Sequence, residues 1–240
     1  MSIRTLALSP LILPQAVWVA ARATRLPEAA GERVGQKGTG PSLRLLVLGD
    51  SSAAGVGVAA QSEALGGRLT DKLAERYSVK WSIVARSGGT VRSTLGILED
   101  LPEEGFDVAI VALGVNDAKN GVTVNAWRSR YRQLLHALST KFGIECVCVS
   151  GLPPIGRFPV LPTPLNRVLG DRALLFDDCL REIALELPQV IYLPLDFKLD
   201  ASKMVSDGFH PGPEIYAAWA DGASDALKDA LAKSDNWQSK

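Results

Sequence analysis

The chain has 240 residues, of which 47% are hydrophobic and 22% are charged, a composition typical of a globular protein with a sizeable core. Its 26 basic residues balance 26 acidic ones, so the formal net charge is zero. A nucleic-acid-binding protein would carry a basic excess, and we therefore expect no nucleic-acid partner.

The cysteine and histidine content gives little support for a metal site. The chain has two histidines and three cysteines and no Cys-x-x-Cys pair. Cys146 and Cys148 lie two apart in an apolar run, where they would share one face of a strand and be poorly placed to form a disulfide. We interpret the cysteines as reduced, buried thiols and predict no bound metal.

Residues 1–42 are predicted to be an N-terminal arm followed by a connection. The stretch from Leu6 to Ala21 is largely apolar, but it is too short and too interrupted for a spanning helix. Two interpretations stay open: a helix over residues 15–25 that packs on the body or contacts a membrane surface, and a cleaved signal or anchor. We favour the first, and with it the cytoplasm; the second implies the periplasm or secretion. Glycines and prolines between Pro27 and Ser42 predict a surface connection.

Beyond residue 42, short apolar runs alternate with amphipathic segments. A continuous run such as DVAIVAL at 107–113 is typical of a strand covered on both faces, and leucines at four-residue spacing between 61 and 77 indicate a helix. The predicted strands are 43–48, 79–85, 107–113, 144–149 and 190–193, and the predicted helices are 61–77, 90–98, 123–142, 165–187 and 213–232. This order predicts one α/β domain over residues 43–240, with a parallel sheet between two helical layers.

The first predicted strand ends abruptly at Gly49-Asp50-Ser51-Ser52, and small residues follow. A serine at this point lies at the carboxyl end of the sheet, where open α/β sheets bind ligands. We interpret Ser51 as a nucleophile, with Ser52 as the alternative. The same small-residue loop could bind a phosphate, but it lacks both the Gly-Lys-Ser/Thr ending of a phosphate loop and the Gly-x-Gly-x-x-Gly spacing.

Polar motifs occupy four loops, each at the end of a strand or before the last helix. They are Gly49-Asp50-Ser51, Ser87-Gly88-Gly89-Thr90, Gly114-Val115-Asn116-Asp117 and Asp207-Gly208-Phe209-His210. In this order the motifs resemble those of the SGNH hydrolases, the GDSL-type esterases and lipases, here of the bacterial single-domain esterase type. The resemblance runs from about Leu43 to about Trp219. It implies a flavodoxin-like, three-layer α/β/α sandwich around a five-stranded parallel sheet.

The resemblance also implies which residues carry the chemistry. A serine hydroxyl needs a base to become a nucleophile, and the motifs give Ser51, His210 and Asp207 as a catalytic triad. The other histidine, His136, lies in the middle of a predicted helix and is interpreted as structural or exposed. The implied reaction is two-step acyl transfer through an acyl-enzyme, with neither a metal nor an organic cofactor.

The same motifs imply an oxyanion hole. Its donors would be the backbone N–H of Ser51, the backbone N–H of Gly88 and the side-chain amide of Asn116. Gly89 remains an alternative to its neighbour Gly88. Asp50 and Asp117 are expected to have structural roles, with Asp50 accepting backbone N–H groups in its loop.

The substrate is predicted only by class: a small-molecule carboxylic ester of short to medium acyl chain. Apolar residues within 152–162, namely Ile155, Phe158, Val160 and Leu161, predict an apolar wall for the acyl chain. The alternatives are a thioesterase or lysophospholipase, a carbohydrate acetylesterase, and an acyltransferase that uses the same serine. We also expect the apolar arm to cover the site or to touch a membrane surface, and the oligomeric state is not predicted.

Overall fold

The computed structural model describes residues 3–22, 24–195 and 201–233, and it has the predicted α/β fold. The strands are β1 Val34–Lys37, β2 Ser42–Gly49, β3 Ser78–Ala85, β4 Val108–Ala112, β5 Cys146–Ser150 and β6 Val190–Leu193. The helices are α1 Ile3–Arg22, α2 Leu65–Ala74, α3 Val91–Asp100, α4 Val115–Lys119, α5 Val124–Phe142, α6 Leu165–Glu186 and α7 Pro213–Lys233.

One sheet organises these elements, with the strand order β1-β3-β2-β4-β5-β6. Strands β2 to β6 are all parallel and correspond to the five predicted strands. The prediction of five strands was incomplete, because β1 adds a sixth, antiparallel strand at the edge next to β3. Its sequence, Val-Gly-Gln-Lys, is mostly exposed and has no apolar run, so the pattern indicated only a surface connection.

Both faces of the sheet are covered, because successive strand residues point to opposite sides and both sets are apolar. Leu46 and Leu48 of β2 pack with α3, α5 and α6, whereas Leu45 and Val47 pack with α2 and α7. The two faces explain why the strand sequences are continuously hydrophobic rather than alternating. The three-layer architecture is therefore confirmed.

Helix boundaries differ from the sequence prediction in three places. The predicted helix 61–77 consists of a 3-10 turn, Gln61–Glu63, followed by α2. Helix α4 was not predicted, since its five residues follow a glycine in a motif that indicated a loop. Helix α1 begins well before the predicted residue 15 and packs against α6. Within the described ranges, no helix has the length and hydrophobicity needed to cross a membrane.

The segment after α1 is bonded to the chain that follows Ser51. The N–H groups of Ala29 and Ala30 donate to the carbonyls of Ala54 and Ala59, at 3.2 and 3.0 Å. Gln61 donates back to the carbonyl of Ala30 at 2.8 Å. The predicted boundary at residue 42 stays a prediction, and these bonds cross it.

We expect the buried face of β2 to dominate stability. Replacing Leu48 with alanine removes a side chain with no solvent exposure, and should lower the free energy of unfolding by about 2–5 kcal/mol, because apolar burial is lost and a cavity remains. Urea unfolding followed by circular dichroism measures this change. Leu185→Ala, at a leucine that is 88% exposed on α6, is the control and should change stability by less than about 0.5 kcal/mol. Equal losses in the two variants would contradict this account of the core.

Candidate active site

Three residues predicted from two separate motifs meet at the carboxyl edge of the sheet. Ser51 follows β2, and its Oγ lies 2.9 Å from Nε2 of His210. The other ring nitrogen of His210, Nδ1, lies 2.6 Å from Oδ2 of Asp207. The loop before α7 thus brings an imidazole and a carboxylate to a serine 159 positions earlier in the chain.

Asp207 organises its own loop as well as the imidazole. Its Oδ1 accepts the backbone N–H groups of Phe209 and His210, at 2.8 and 2.9 Å. Burial alone would raise the pKa of Asp207, but the hydrogen bonds from His210 and Phe209 outweigh it and hold the pKa below its usual value. The ionised carboxylate favours the tautomer with a proton on Nδ1, which leaves Nε2 free to accept the serine proton.

The nucleophile loop lies between the two loops predicted to hold the oxyanion. Strand β2 pairs with β3 on one side and β4 on the other; Gly88 follows β3 and Asn116 follows β4. The amide nitrogen of Asn116 donates to the carbonyl of Gly89 at 3.0 Å and to Oδ2 of Asp50 at 3.3 Å. Both partners are acceptors, so the hydrogen-bond network fixes which side of the amide carries the nitrogen.

The glycine at position 88 is required by its backbone conformation. Its φ is +77°, in the left-handed region that favours glycine. Space is not the reason, because a Cβ at this position would meet no heavy atom within 4 Å. The neighbouring Gly89 donates its N–H to the carbonyl of Arg86 at 3.0 Å. Because that donor is already engaged, Gly88 is the better candidate of the two for binding an acyl oxygen.

Asp50 connects the nucleophile loop to Asn116. Its Oδ1 accepts the N–H of Ser52 at 3.0 Å, as expected for a loop-stabilising aspartate, while Oδ2 accepts from Asn116. Burial raises the pKa of Asp50 to about 6, even though the N–H of Ser52 and the charge of Lys119 act in the opposite direction. The ionised form is therefore held at a cost in folding free energy.

The comparison with known proteins assigns the family. The family model of the GDSL-like lipases/acylhydrolases matches residues 47–218, well over half of the chain. The chain belongs to this family. Membership confirms the family predicted from the four motifs.

One curated relative and two solved structures illustrate the similarity. The GDSL-like esterase Rv1075c of Mycobacterium tuberculosis is 28% identical over 202 residues, which cover 79% of this chain and 63% of that protein. The chain thus matches less than two thirds of its relative's length. The chain in the crystal structure of TesA is 23% identical in sequence to this one. The match covers 78% of this chain and 99% of the TesA chain, with a TM-score of 0.63. The psychrotrophic esterase EstA of Pseudoalteromonas sp. is 20% identical in sequence. That match covers 79% of this chain and 98% of the EstA chain, with a TM-score of 0.56.

A mainly apolar pocket opens beside Ser51. Apart from Asp50, Ser51, Ser52, Asn116 and Ser150, its lining consists of glycine and apolar side chains, contributed by the ends of β4 and β5 and by the chain around α7. The apolar part comprises Ala112, Leu113, Val115, Leu152, Pro153, Phe158, Leu195, Met204, Phe209, Pro211, Ile215 and Trp219.

The predicted apolar wall was only partly right. Phe158 lines the pocket, but Ile155, Val160 and Leu161 pack against the hydrophobic core on the α5 and α6 side of the sheet. The 3-10 turn at Ile155–Arg157 folds this segment back onto α6, which a loop interpretation did not anticipate.

Within the described ranges, no group of three or more His, Cys, Asp or Glu residues is arranged to hold a metal.

Two residues of α7 that sequence reasoning missed support the site. The hydroxyl of Tyr216 lies within hydrogen-bond distance of the carbonyls of Ser52 and Val56, at 2.9 and 2.7 Å, and so fixes the turn that follows Ser51. Trp219 lines the pocket and donates its indole N–H to Oγ of Ser150 at 3.0 Å. Their helical spacing indicates a core face, and no local motif distinguishes that role from support of the site.

Glu28, in the N-terminal segment, holds the loop that carries Gly88. Its Oε1 accepts the N–H of Ser87 at 2.6 Å, and its Oε2 accepts from Arg33 at the same distance. Arg33 in turn donates to the carbonyl of Ala85, the last residue of β3. Burial alone would raise the pKa of Glu28, but the bonds from Ser87 and Arg33 lower it below its usual value, so the carboxylate stays charged.

We expect Glu28 to be a positioning residue for Gly88. Replacing Glu28 with alanine frees the N–H of Ser87. If Gly88 is the predicted oxyanion donor, this change should lower kcat on p-nitrophenyl acetate by up to about a hundredfold with little change in KM, because displacing a transition-state donor impairs chemistry more than binding. Glu28→Gln keeps an acceptor oxygen and should retain more activity. Glu32→Ala, at an exposed position of the same segment, is the control and should behave as the wild type. A wild-type kcat for Glu28→Ala would refute the positioning role.

The raised pKa of Asp50 predicts a pH-dependent stability difference. A folded-state pKa of about 6 against 3.8 for the free group means that folding favours the protonated form, so this group's contribution to stability falls by about 3 kcal/mol as the pH rises from below 3.8 to above 6. Asp50→Asn does not ionise and avoids this loss. Its stability relative to the wild type, measured by urea unfolding, should therefore increase with pH across that window. A difference that is constant with pH would contradict the raised pKa.

Proposed function

We propose that the protein is a serine hydrolase that cleaves small-molecule carboxylic esters of short to medium acyl chain through an acyl-enzyme. The observation that carries the proposal is the unbroken hydrogen-bonded series from Asp207 through His210 to Ser51 at the edge of an apolar pocket. The family membership supports the reaction class, and the geometry supports the assignment of each role.

In the proposed acylation step, Oγ of Ser51 attacks the ester carbonyl while Nε2 of His210 takes its proton. The carboxylate of Asp207 stabilises the imidazolium that forms, without itself becoming protonated. The imidazolium then gives the proton to the leaving alcohol oxygen as the carbon–oxygen bond breaks, which leaves the acyl group on Ser51.

In the proposed deacylation step, His210 takes a proton from a water molecule that attacks the acyl-enzyme, and Ser51 leaves with that proton as the acid is released. Both tetrahedral intermediates carry a negative oxygen. The N–H groups of Ser51 and Gly88 and the amide of Asn116 are the proposed donors to it. No metal or organic cofactor takes part in either step.

The pocket supports an acyl chain rather than a polar group as the part of the substrate that enters it. Side chains such as Leu152, Phe158 and Trp219 offer no charge to a ligand. Apart from Ser150, the polar lining residues are Ser51, its chain neighbours Asp50 and Ser52, and Asn116, which binds Asp50. A thioester or a lysophospholipid would present the same carbonyl and an apolar chain, so these remain the alternatives to a simple ester.

Hydrolysis of a p-nitrophenyl ester series, from acetate to palmitate, tests the proposal. We expect activity on the short and medium chains, and a fall of about a thousandfold or more in Ser51→Ala, since the nucleophile of a triad is lost. Ser52→Ala is the matched control at the neighbouring serine and should keep most of the activity.

Three results would change the proposal. Wild-type activity in Ser51→Ala would exclude Ser51 as the nucleophile. A wild-type protein that cleaves no member of the series but releases thiol from acyl-thioesters would favour a thioesterase. Formation of a new ester when an alcohol is added, at the expense of free acid, would favour an acyltransferase.

A further inference from the structure

Helix α1 is attached to the protein along one side. Its 20 residues span about 30 Å. Ile12, Ala16 and Val19, which recur every three or four positions, pack against the core on the α6 side of the sheet. Between them the amide group of Gln15 donates to the carbonyl of Thr163 at 2.7 Å and accepts the N–H of Leu165 at 3.1 Å. These contacts fix the helix laterally on the body.

Between residues 10 and 21, the remaining surface of α1 is apolar and open to solvent. Leu11, Leu13, Val17 and Trp18 are 58%, 66%, 68% and 48% exposed. Single exposed apolar side chains are normal in soluble proteins, but here four large ones lie within eight residues of one helix. Pro10, Pro14 and Ala21 are exposed as well, so no charged side chain interrupts this solvent side of the helix. Such a patch indicates a surface that is covered by another apolar phase.

The charges at the ends of the helix indicate what covers it. No residue from Thr5 to Ala21 is charged, whereas arginines stand at positions 4, 22 and 25. The guanidinium of Arg22 lies 4.5 Å from the centre of the Trp18 ring, so a cation adjoins the exposed aromatic ring. An apolar face with tryptophan and arginine at its border matches the layered chemistry of an anionic lipid surface, where acyl chains lie beneath negative headgroups.

We propose that α1 binds the protein to an anionic lipid surface, lying along the interface with Leu11, Leu13, Val17 and Trp18 inserted. Gln15 of the helix binds Thr163, five residues beyond Phe158 in the segment that also contributes Leu152 and Pro153 to the pocket lining. Docking through α1 would bring this segment towards lipid-borne esters; that consequence rests on the proposed function, whereas lipid binding does not.

Vesicle flotation of the full-length protein tests lipid binding without any assay of activity. We expect the wild type to float with vesicles of phosphatidylcholine mixed with phosphatidylglycerol and to float much less with phosphatidylcholine alone. Leu13→Glu should lower binding about tenfold, because it places a charge in the apolar face. Arg22→Gln and Arg25→Gln should each lower binding about fivefold.

Leu185→Glu is the matched control, since it makes the same substitution at an exposed leucine near the far end of α6. It should bind vesicles as the wild type does. All variants should hydrolyse a soluble short-chain ester at the wild-type rate, which shows that they are folded. On esters embedded in vesicles, Leu13→Glu should lose activity and Leu185→Glu should not.

Two outcomes would overturn the proposal. One is a wild type that does not float with the anionic vesicles, or a Leu13→Glu variant that floats equally well. The other is a wild-type dimer in light scattering that Leu13→Glu converts to a monomer without any vesicle binding, which would make a second copy the occupant of this face. Because flotation does not depend on hydrolysis, failure of the esterase proposal would be seen separately.

Discussion

Carboxylates that accept backbone N–H groups hold the loops around the pocket in place. At the carboxyl ends of parallel strands the sheet's own hydrogen bonds stop, and the N–H groups beyond them need other partners. A side-chain carboxylate is a strong acceptor, and such a bond is worth about 1.5–3 kcal/mol. The pairs are Glu28 with Ser87, Asp50 with Ser52, Asp117 with Val91, Asp177 with Leu152, and Asp207 with both Phe209 and His210.

Through these bonds, residues that are distant in the sequence hold the loops of the site in position. Asp177, on α6, accepts the N–H of Leu152 at 2.8 Å and the hydroxyl of Tyr192 at the same distance, so a helix and a strand together fix one wall of the pocket. Glu28 does the same for the loop of Gly88. Helix α6 thus supports one short loop in addition to burying the sheet, and the segment between α1 and β1 supports another.

The fold could be predicted from sequence because strands buried on both faces have clear apolar runs. The meeting of Ser51, Asp207 and His210 at one edge of the sheet could be expected because their motifs resemble those of a known family. Strand β1 could not be predicted, since its four mostly exposed residues carry no periodic hydrophobic pattern. The roles of Glu28 and Tyr216 were also invisible: each depends on a contact with a residue at least 59 positions away, and neither has a motif. Long-range contacts of this kind follow only from the folded chain.

The resting contacts of Asn116 have a consequence for selectivity between substrate and transition state. Both hydrogens of its amide nitrogen are engaged, by the carbonyl of Gly89 and by the carboxylate of Asp50. The carbonyl oxygen of an intact ester is a weaker acceptor than a carboxylate or a backbone amide carbonyl, and it competes poorly for either hydrogen. An oxygen with full negative charge competes well. With Asn116 as the proposed donor, the protein's own acceptors act as internal competitors, and the amide's binding energy is released mainly when the oxyanion forms.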